Sequence, residues 1–225
     1  MDKYIGIIAA ENEEIEAIKN SMEDINEIKI YNLTFYKGII NNKNYIVVKC
    51  GVGKVNAART TQVLIDKFDI ECIVNLGSAG AINDILNIGD IVIGEQLVQH
   101  DFDVTAFGRE KGYIPETGKM FESDGDLVEN CKKIKINDVK IITGIIASGD
   151  IFCTDIKMKE KIREKFNCDC VEMEGAAVAQ VCYLNEIPFI VIRSISDIPN
   201  GKNQSDFNEY LKCASKNCAE FIKQI

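Results

Sequence analysis

The sequence has 225 residues, of which 46% are hydrophobic, and a formal net charge of -9 at pH 7. A chain of this length can bury roughly 70–75% of its unfolded surface in one domain, and because no Pro-, Gly- or Ser-rich linker divides it, we predict a single domain over residues 1–225. The acidic balance and the lack of a basic patch argue against nucleic acid and membrane surfaces as partners, so we expect a small-molecule substrate.

Apolar runs typical of strands recur along the chain. In chain order they are Tyr4–Ala10, Ile28–Lys37, Tyr45–Cys50, Cys72–Leu76, Asp90–Ile93, Val139–Ala147 and Pro188–Ile195. Apolar residues at helical spacing occur between several of them, first at Ile15, Ile18 and Met22 and last over Phe207–Ile222. Continuous apolar runs suit strands buried on both faces, whereas Asn41–Asn44 is typical of a hairpin turn. The pattern predicts an α/β fold with a mixed sheet and helices on both faces.

The first candidate site is the acidic segment that follows the first strand. Glu11, Glu13 and Glu14 open the first predicted helix, where negative charge favours the helix dipole by about 0.3–1 kcal/mol. That structural role explains the segment on its own. Alternatively, one carboxylate projects over the end of the strand as a general base, and its distance from the strand end favours Glu14 over Glu11.

Two glycine-rich segments follow later strands. Gly51–Ala58 lacks the residues of a Walker A loop and the third glycine of a dinucleotide fingerprint, so it predicts either close backbone approach or packing. Asn75–Ala81 is interpreted as a small-residue turn. It lacks the first glycine of a GxSxG nucleophile elbow, so we expect Ser78 to bind a ligand rather than to attack one.

Aromatic residues mark two further segments. His100–Gly108 contains Val104 and Phe107, which a solvated loop does not need, and these either close a pocket or pack on another subunit. Phe152 follows the strand Val139–Ala147, where it either stacks on a flat ring or packs in the core.

Charged residues end two more extended runs. Glu172 and Glu174 flank a methionine in Val171–Ala177, and like charges this close cost free energy unless a ligand or donors satisfy them. About twenty residues on, Arg193 and Asp197 end another apolar run. Since ligands bind at the carboxyl ends of strands in open α/β sheets, these ends predict a binding site.

The cysteines and the start of the chain indicate the compartment. The start, Met1–Ala10, has too short an apolar run for a signal peptide, so we expect a cytoplasmic protein. Nine cysteines are an odd number for a disulfide framework, and Cys50, Cys72 and Cys182 lie in apolar runs, so we predict reduced, buried thiols. Cys168–Cys170 lacks a second ligand pair, so no zinc site is predicted.

Taken together, these segments resemble the bacterial 5'-methylthioadenosine/S-adenosylhomocysteine nucleosidases of the nucleoside phosphorylase superfamily. The resemblance covers nearly the whole chain and rests on seven ordered segments, which are Ile5–Ile8 with Glu13–Glu14, Gly51–Val55, Gly77–Gly80, His100–Gly108, Ser148–Asp150, Val171–Glu174 and Arg193–Asp197. It implies a three-layer α/β/α sandwich with a twisted mixed central β-sheet, and a homodimer in which one subunit completes the other's site. It also implies hydrolysis of the N-glycosidic bond between adenine and a 5'-thio-substituted ribose, with no metal or cofactor, in methionine salvage.

The same resemblance assigns roles to individual residues. Glu14 matches the base that activates water, and Asp197 matches the acid that protonates N7 of adenine. Met173 and Glu174 match ribose contacts, with Glu172 contributing negative charge beside them. The remaining matches are Phe152, which stacks on adenine, Cys153, whose backbone reads the adenine edge, Ser78 and Arg193 at the centre, Phe207 over the ribose, and Val104, Phe107 and Pro115, which reach the partner's 5' pocket.

Two residues depart from the family's pattern. Glu11 stands where an apolar residue is common close to the substrate, and Arg109 stands where an aromatic residue often lines the 5' pocket. Three other functions remain open: a hydrolase of another purine nucleoside such as aminodeoxyfutalosine, a phosphorolytic enzyme, and a nucleoside-binding protein without activity. Phosphorolysis needs basic residues after the first strand, where this chain is acidic.

Overall fold

The computed structural model describes residues 3–200 and 203–225, and over these ranges it contains ten strands and six α-helices. Met1, Asp2, Gly201 and Lys202, which the predicted domain includes, lie outside the described residues. The strands are β1 (Tyr4–Ala9), β2 (Glu23–Ile30), β3 (Leu33–Ile40), β4 (Lys43–Lys49), β5 (Ile70–Ala81), β6 (Ile91–Gln99), β7 (Phe121–Glu122), β8 (Ile141–Ser148), β9 (Cys170–Glu172) and β10 (Phe189–Asp197). The helices are α1 (Asn12–Lys19), α2 (Lys54–Lys67), α3 (Gly125–Cys131), α4 (Ile156–Phe166), α5 (Gly175–Leu184) and α6 (Asn203–Ile222).

All ten strands of the described chain belong to one mixed sheet, as predicted. β5 lies parallel to β1 on one side and to β10 on the other, and near its end it also pairs antiparallel with β9. Through β10, β6, β8 and β9 the pairing returns to β5, so these five strands close on themselves. The other arm runs from β1 through β4 and β3 to β2. The closed part places the ends of β5, β9 and β10 together.

Helices cover both faces of the sheet, which confirms the predicted three-layer sandwich. Alternate residues of β1 face opposite cores: Ile8 belongs to the core that includes residues of α2 and α5, whereas Ile7 belongs to the core that includes residues of α1, α3 and α6. Leu64 of α2 and Phe221 of α6 are fully buried, one in each core. A third cluster holds Phe166 of α4. Period-two alternation therefore supplies both cores, as strands buried on both faces require.

Two strand predictions differ from the structure. Ile28–Lys37 is not one strand, because β2 turns into β3 at Tyr31, whose φ is 56°, and neither glycine nor proline marks this turn. The small-residue segment Gly77–Gly80 is not a turn but the extended end of β5. Pairing with β10 as far as Gly80 satisfies the backbone there and keeps it extended.

Two other predictions are confirmed. Asn41 and Asn42, with φ of 46° and 63°, form the tight turn of the β3–β4 hairpin. The nine cysteines all lie outside disulfide bonds, and all are buried except Cys213. Among the described residues, no helix combines the length and apolarity needed to cross a membrane.

Candidate active site

A cavity of about 400 Å³ opens where β1, β5, β9 and β10 end. The structure brings most of the predicted site residues into its wall, namely Glu14, Ser78, Phe152, Glu172, Met173, Glu174, Arg193, Asp197 and Phe207. A smaller adjoining cavity is lined by Cys153 together with Phe152 and Asp197. The carboxyl ends of the parallel strands therefore form the site, as open α/β sheets predict.

Three predicted residues do not enter this cavity. Val104 and Phe107 lie on the segment after β6, around a short 3-10 helix at Thr105–Phe107, and Pro115 follows it. Phe107 is 84% exposed, Val104 is half-buried and Pro115 is exposed. In the single chain, Phe107 and Pro115 therefore lie on the surface and Val104 is partly covered.

Glu14 is held from both sides by hydrogen-bond donors. It lies in the first turn of α1, where its Oε2 accepts from the backbone N–H groups of Ala10 and Glu11, both at 3.0 Å. Its Oε1 accepts from the Ser78 backbone N–H at 3.0 Å and from the Ser78 hydroxyl at 3.3 Å. Burial raises the pKa of Glu14 above its ordinary value, although these donors and Arg193 act against that shift. A buried carboxylate with a raised pKa suits a general base.

Asp197 ends β10 and is 2% exposed. The Ser196 hydroxyl donates to its Oδ1 at 2.9 Å. Two glycines of β5 leave room for the carboxylates of Glu14 and Asp197. A Cβ on Gly77 would lie 3.2 Å from Oε1 of Glu14, and a Cβ on Gly80 would lie 3.1 Å from Oδ2 of Asp197. Glu14 and Asp197 both line the main cavity.

Glu172 is a saturated acceptor. Its Oε1 accepts from the Ser148 hydroxyl, and its Oε2 accepts from Nε and Nη2 of Arg193. The backbone N–H groups of Glu174 and Gly175 also donate to Oε2, at 3.0 and 2.7 Å. Burial acts to raise the pKa of Glu172, but Arg193 and the other donors outweigh it, so the pKa is lowered. Glu172 is therefore an anion that anchors the start of α5.

Glu174 is in the opposite state. It is the N-cap residue of α5, and the Gly53 backbone N–H donates to its Oε1 at 2.8 Å. Burial, followed by the charge of Glu172, raises the pKa of Glu174 to about 8. The cost predicted for two adjacent carboxylates is thus resolved by unequal titration, with the negative charge on Glu172.

Glu174 makes stability depend on pH. The unfolded chain loses the Glu174 proton near pH 4.5 and the folded chain near pH 8, so between these values the unfolded state binds fewer protons and stability falls as pH rises. The glutamine of a Glu174→Gln variant cannot ionise, so the unfolding free energy of this variant relative to wild type should increase from pH 5 to pH 8. Urea unfolding at both pH values measures this, with the exposed Glu160→Gln as control. An equal difference at both pH values would refute the assignment.

Arg193 is 1% exposed, and its Nη2 also donates to the side-chain oxygen of Asn75 at 2.6 Å. Removing it leaves Glu172 buried without its cation, so Arg193→Met should lower the unfolding free energy by about 3 kcal/mol. Adding Glu172→Gln removes the uncompensated charge and should restore part of that loss. Urea unfolding of the single and double variants measures both effects, and strict additivity would contradict the pairing.

A hydrogen-bonded ring beside the cavity was not predicted from the sequence. Nζ of Lys54 donates to Asp101 at 2.6 Å and to Gln99 at 3.0 Å, and Asp101 accepts from the Asp150 backbone N–H at 2.9 Å. Asp150 closes the ring by accepting from the Lys54 backbone N–H at 2.8 Å. The ring fixes the Gly53 turn against the segment that leads to Phe152. Lys54, Asp101 and Asp150 belong to three of the seven segments that carry the resemblance, but the sequence does not show that they meet.

Metal-binding side chains are not clustered in the part of the chain that the structure describes: no three His, Cys, Asp or Glu residues there are grouped to hold an ion. The groups that line the cavity include carboxylates, serine hydroxyls, side-chain amides and aromatic rings. Two buried acids and an aromatic ring in the lining of one cavity suit acid–base cleavage of a bond to a flat, protonatable group.

Known proteins match the chain over its whole length. The model of the Phosphorylase superfamily matches residues 4–225. A 5'-methylthioadenosine/S-adenosylhomocysteine nucleosidase of Staphylococcus aureus (strain JH9) is 38% identical over 223 residues, which cover 98% of this chain and 98% of that protein.

Solved structures of other proteins are also similar to this chain over nearly its whole length. The nucleosidase of the same name from Colwellia psychrerythraea 34H, in complex with adenine, has a TM-score of 0.96 and 38% identity, covering 100% of this chain and 94% of that chain. Futalosine hydrolase of Helicobacter pylori strain 26695 has a TM-score of 0.94 and 35% identity, covering 99% of this chain and 96% of that chain. This chain belongs to the phosphorylase superfamily and, within it, to the family of the 5'-methylthioadenosine/S-adenosylhomocysteine nucleosidases.

Proposed function

We propose that this protein hydrolyses the N-glycosidic bond of 5'-methylthioadenosine and S-adenosylhomocysteine, releasing adenine and the 5-thio-substituted ribose. The observation that carries the proposal is the pair of buried acids, Glu14 and Asp197, in one cavity beside Phe152. The family relationship supports the same activity.

Adenine is a poor leaving group until its imidazole ring is protonated, and ribose becomes cation-like as the bond breaks. In this proposal Asp197 donates a proton to N7, and Glu14 removes a proton from the attacking water. Acid–base assistance contributes about 10²–10⁴-fold per group, roughly 3–5 kcal/mol, whereas enzymes lower barriers by about 8–23 kcal/mol. The rest requires electrostatic stabilisation of the sugar cation, which we assign to the Glu14 carboxylate together with the side-chain oxygens of Glu174.

The other side chains bind and position the nucleoside. We assign Glu174 and Met173 to the ribose, with Glu174 on its hydroxyl groups. In this proposal Phe152 stacks on adenine. The ring of Phe207 packs edge-on against the ring of Phe152, with the two centroids 6.0 Å apart, and covers the ribose. Ser78 orients Glu14, Arg193 orients Glu172, and the Cys153 backbone reads the adenine edge.

Water, rather than phosphate, is the proposed nucleophile. The only cation among the described cavity residues is Arg193, and it is bound to Glu172 and Asn75. The Glu14 carboxylate, which accepts a hydrogen bond from the Ser78 hydroxyl, lines the same cavity. A phosphate anion would meet carboxylates there instead of the basic residues it needs.

We also propose that residues 1–225 act as one cytoplasmic domain that forms a homodimer. Exposure of Phe107, with Val104 and Pro115 nearby in sequence, supports an interface through which one subunit completes the other's 5' pocket. Light scattering should give twice the 25.1 kDa chain mass, and Phe107→Asp should weaken association. A monomer with full activity would contradict this proposal.

The substrate is tested by following free adenine from four nucleosides, namely 5'-methylthioadenosine, S-adenosylhomocysteine, 5'-deoxyadenosine and aminodeoxyfutalosine. Similarity to futalosine hydrolase makes the last of these the second candidate. We expect the two thio-substituted nucleosides to have the highest kcat/KM. Turnover of aminodeoxyfutalosine alone would make that nucleoside the substrate instead. Binding of all four nucleosides without release of adenine would indicate a nucleoside-binding protein without activity.

A further inference from the structure

The cavity has two distinguishable ends. Phe152, Cys153 and Asp197 line the smaller adjoining cavity, and Phe152 and Asp197 also line the main one. Glu11 and Val52 line the main cavity alone. Glu11 therefore lies outside the smaller cavity, which Phe152, Cys153 and Asp197 line.

The proposed function, on which this inference rests, orients the substrate between these ends. With adenine beside Phe152 and Asp197, the ribose lies between Glu14 and Glu174. A ribose ring carries its base on C1' and its 5' group on C4', on the far side of the ring oxygen. The 5' substituent therefore extends away from Phe152, toward the end that Glu11 lines.

The charges around that end favour a cation. Glu11 and Glu14 are carboxylates that line the main cavity but not the smaller one, and the guanidinium of Arg193 is bound to Glu172 and Asn75. The part of α6 that reaches the wall contributes neutral Gln204 and Asn208 beside Phe207. Glu11 is only half-buried, so it can approach a flexible substituent at little desolvation cost.

We propose that Glu11 is a specificity-determining residue that selects 5'-thio substituents by charge, favouring those that carry an ammonium group and disfavouring those that carry a carboxylate. At the reduced dielectric near a protein surface, one unit charge at contact distance is enough for a tenfold preference. S-adenosylhomocysteine carries both an ammonium and a carboxylate on its thioether, so substituents with a single charge test the proposal more directly.

Three synthetic nucleosides of matched length make the test. 5'-Deoxyadenosine carrying a 2-aminoethylthio group is cationic, the carboxymethylthio analogue is anionic, and the propylthio analogue is neutral. The kcat/KM ratio of the cationic to the anionic compound should be at least about tenfold in the wild type, and Glu11→Gln should lower it at least about fivefold. Glu13→Gln removes the same charge from the same helical turn at an exposed position and should leave the ratio unchanged.

The outcomes distinguish failure of the charge preference at Glu11 from failure of the proposed function. A wild-type ratio of one or below, or a ratio that Glu11→Gln leaves unchanged, overturns the proposal while the enzyme still hydrolyses the propylthio compound. If none of the compounds releases adenine, the proposed function fails instead, and dissociation constants from calorimetry still give the charge preference. Should Glu11→Gln fold poorly, Glu11→Met supplies the second variant.

Discussion

Replacing Asp197 by asparagine should lower the rate of adenine release from 5'-methylthioadenosine by at least about 10²-fold while the nucleoside still binds. Asparagine has nearly the same shape, and its side-chain oxygen can still accept from the Ser196 hydroxyl. It carries no proton that it can donate to N7. The loss should therefore appear in kcat, whereas the dissociation constant from calorimetry stays within a few-fold of wild type.

Asp126→Asn is the control for Asp197→Asn, because Asp126 is exposed on α3 and its replacement should leave kcat unchanged. Unfolding in urea should show that the Asp197 variant keeps its fold. Near-normal turnover by that folded variant would remove Asp197 from the mechanism.

Glu14→Gln should lower kcat by about 10²–10⁴-fold, because glutamine cannot take a proton from water. The wild-type enzyme should also lose kcat/KM on the acid side, with an apparent pKa above the ordinary 4.5, since burial raises the pKa of Glu14. Protonation of Glu14 below that pKa removes the base. The residual activity of the variant should lack this acid limb.

Glu13→Gln controls for the loss of one charge in the first turn of α1, and it should keep both the rate and the pH profile. Because the amide nitrogen of the introduced glutamine would face N–H donors on one side, the urea unfolding curve of Glu14→Gln is measured as well. Activity above one tenth of wild type in a folded Glu14→Gln variant would contradict the base assignment.

Local patterns in the sequence predicted much of the fold. Continuous apolar runs predicted β1 and β10, and helical spacing predicted α6, because burial on two faces or on one stripe leaves a period in the chain. The Tyr31 turn and the extended Gly77–Gly80 segment were not predicted, since the pairing partners of these residues decide their conformation. Small residues favour a turn locally, but β10 holds them extended.

The site shows the same division between local and long-range information. The sequence predicted which acids matter, and the structure brings Glu14, Glu174 and Asp197 into one cavity. The sequence did not predict that Glu172 keeps its negative charge while the pKa of Glu174 rises to about 8. That difference depends on Arg193, 21 residues beyond Glu172, and on the burial of Glu174, which outweighs the opposing hydrogen bond from the Gly53 backbone, 121 residues before it. Contacts over such distances require the fold.

The most direct measurement is product analysis of 5'-methylthioadenosine turnover in phosphate-free buffer and again with added phosphate. Adenine and free 5-methylthioribose should form at the same rate in both buffers, because water is the proposed nucleophile. Strict dependence on phosphate, with 5-methylthioribose 1-phosphate as the product, would contradict it.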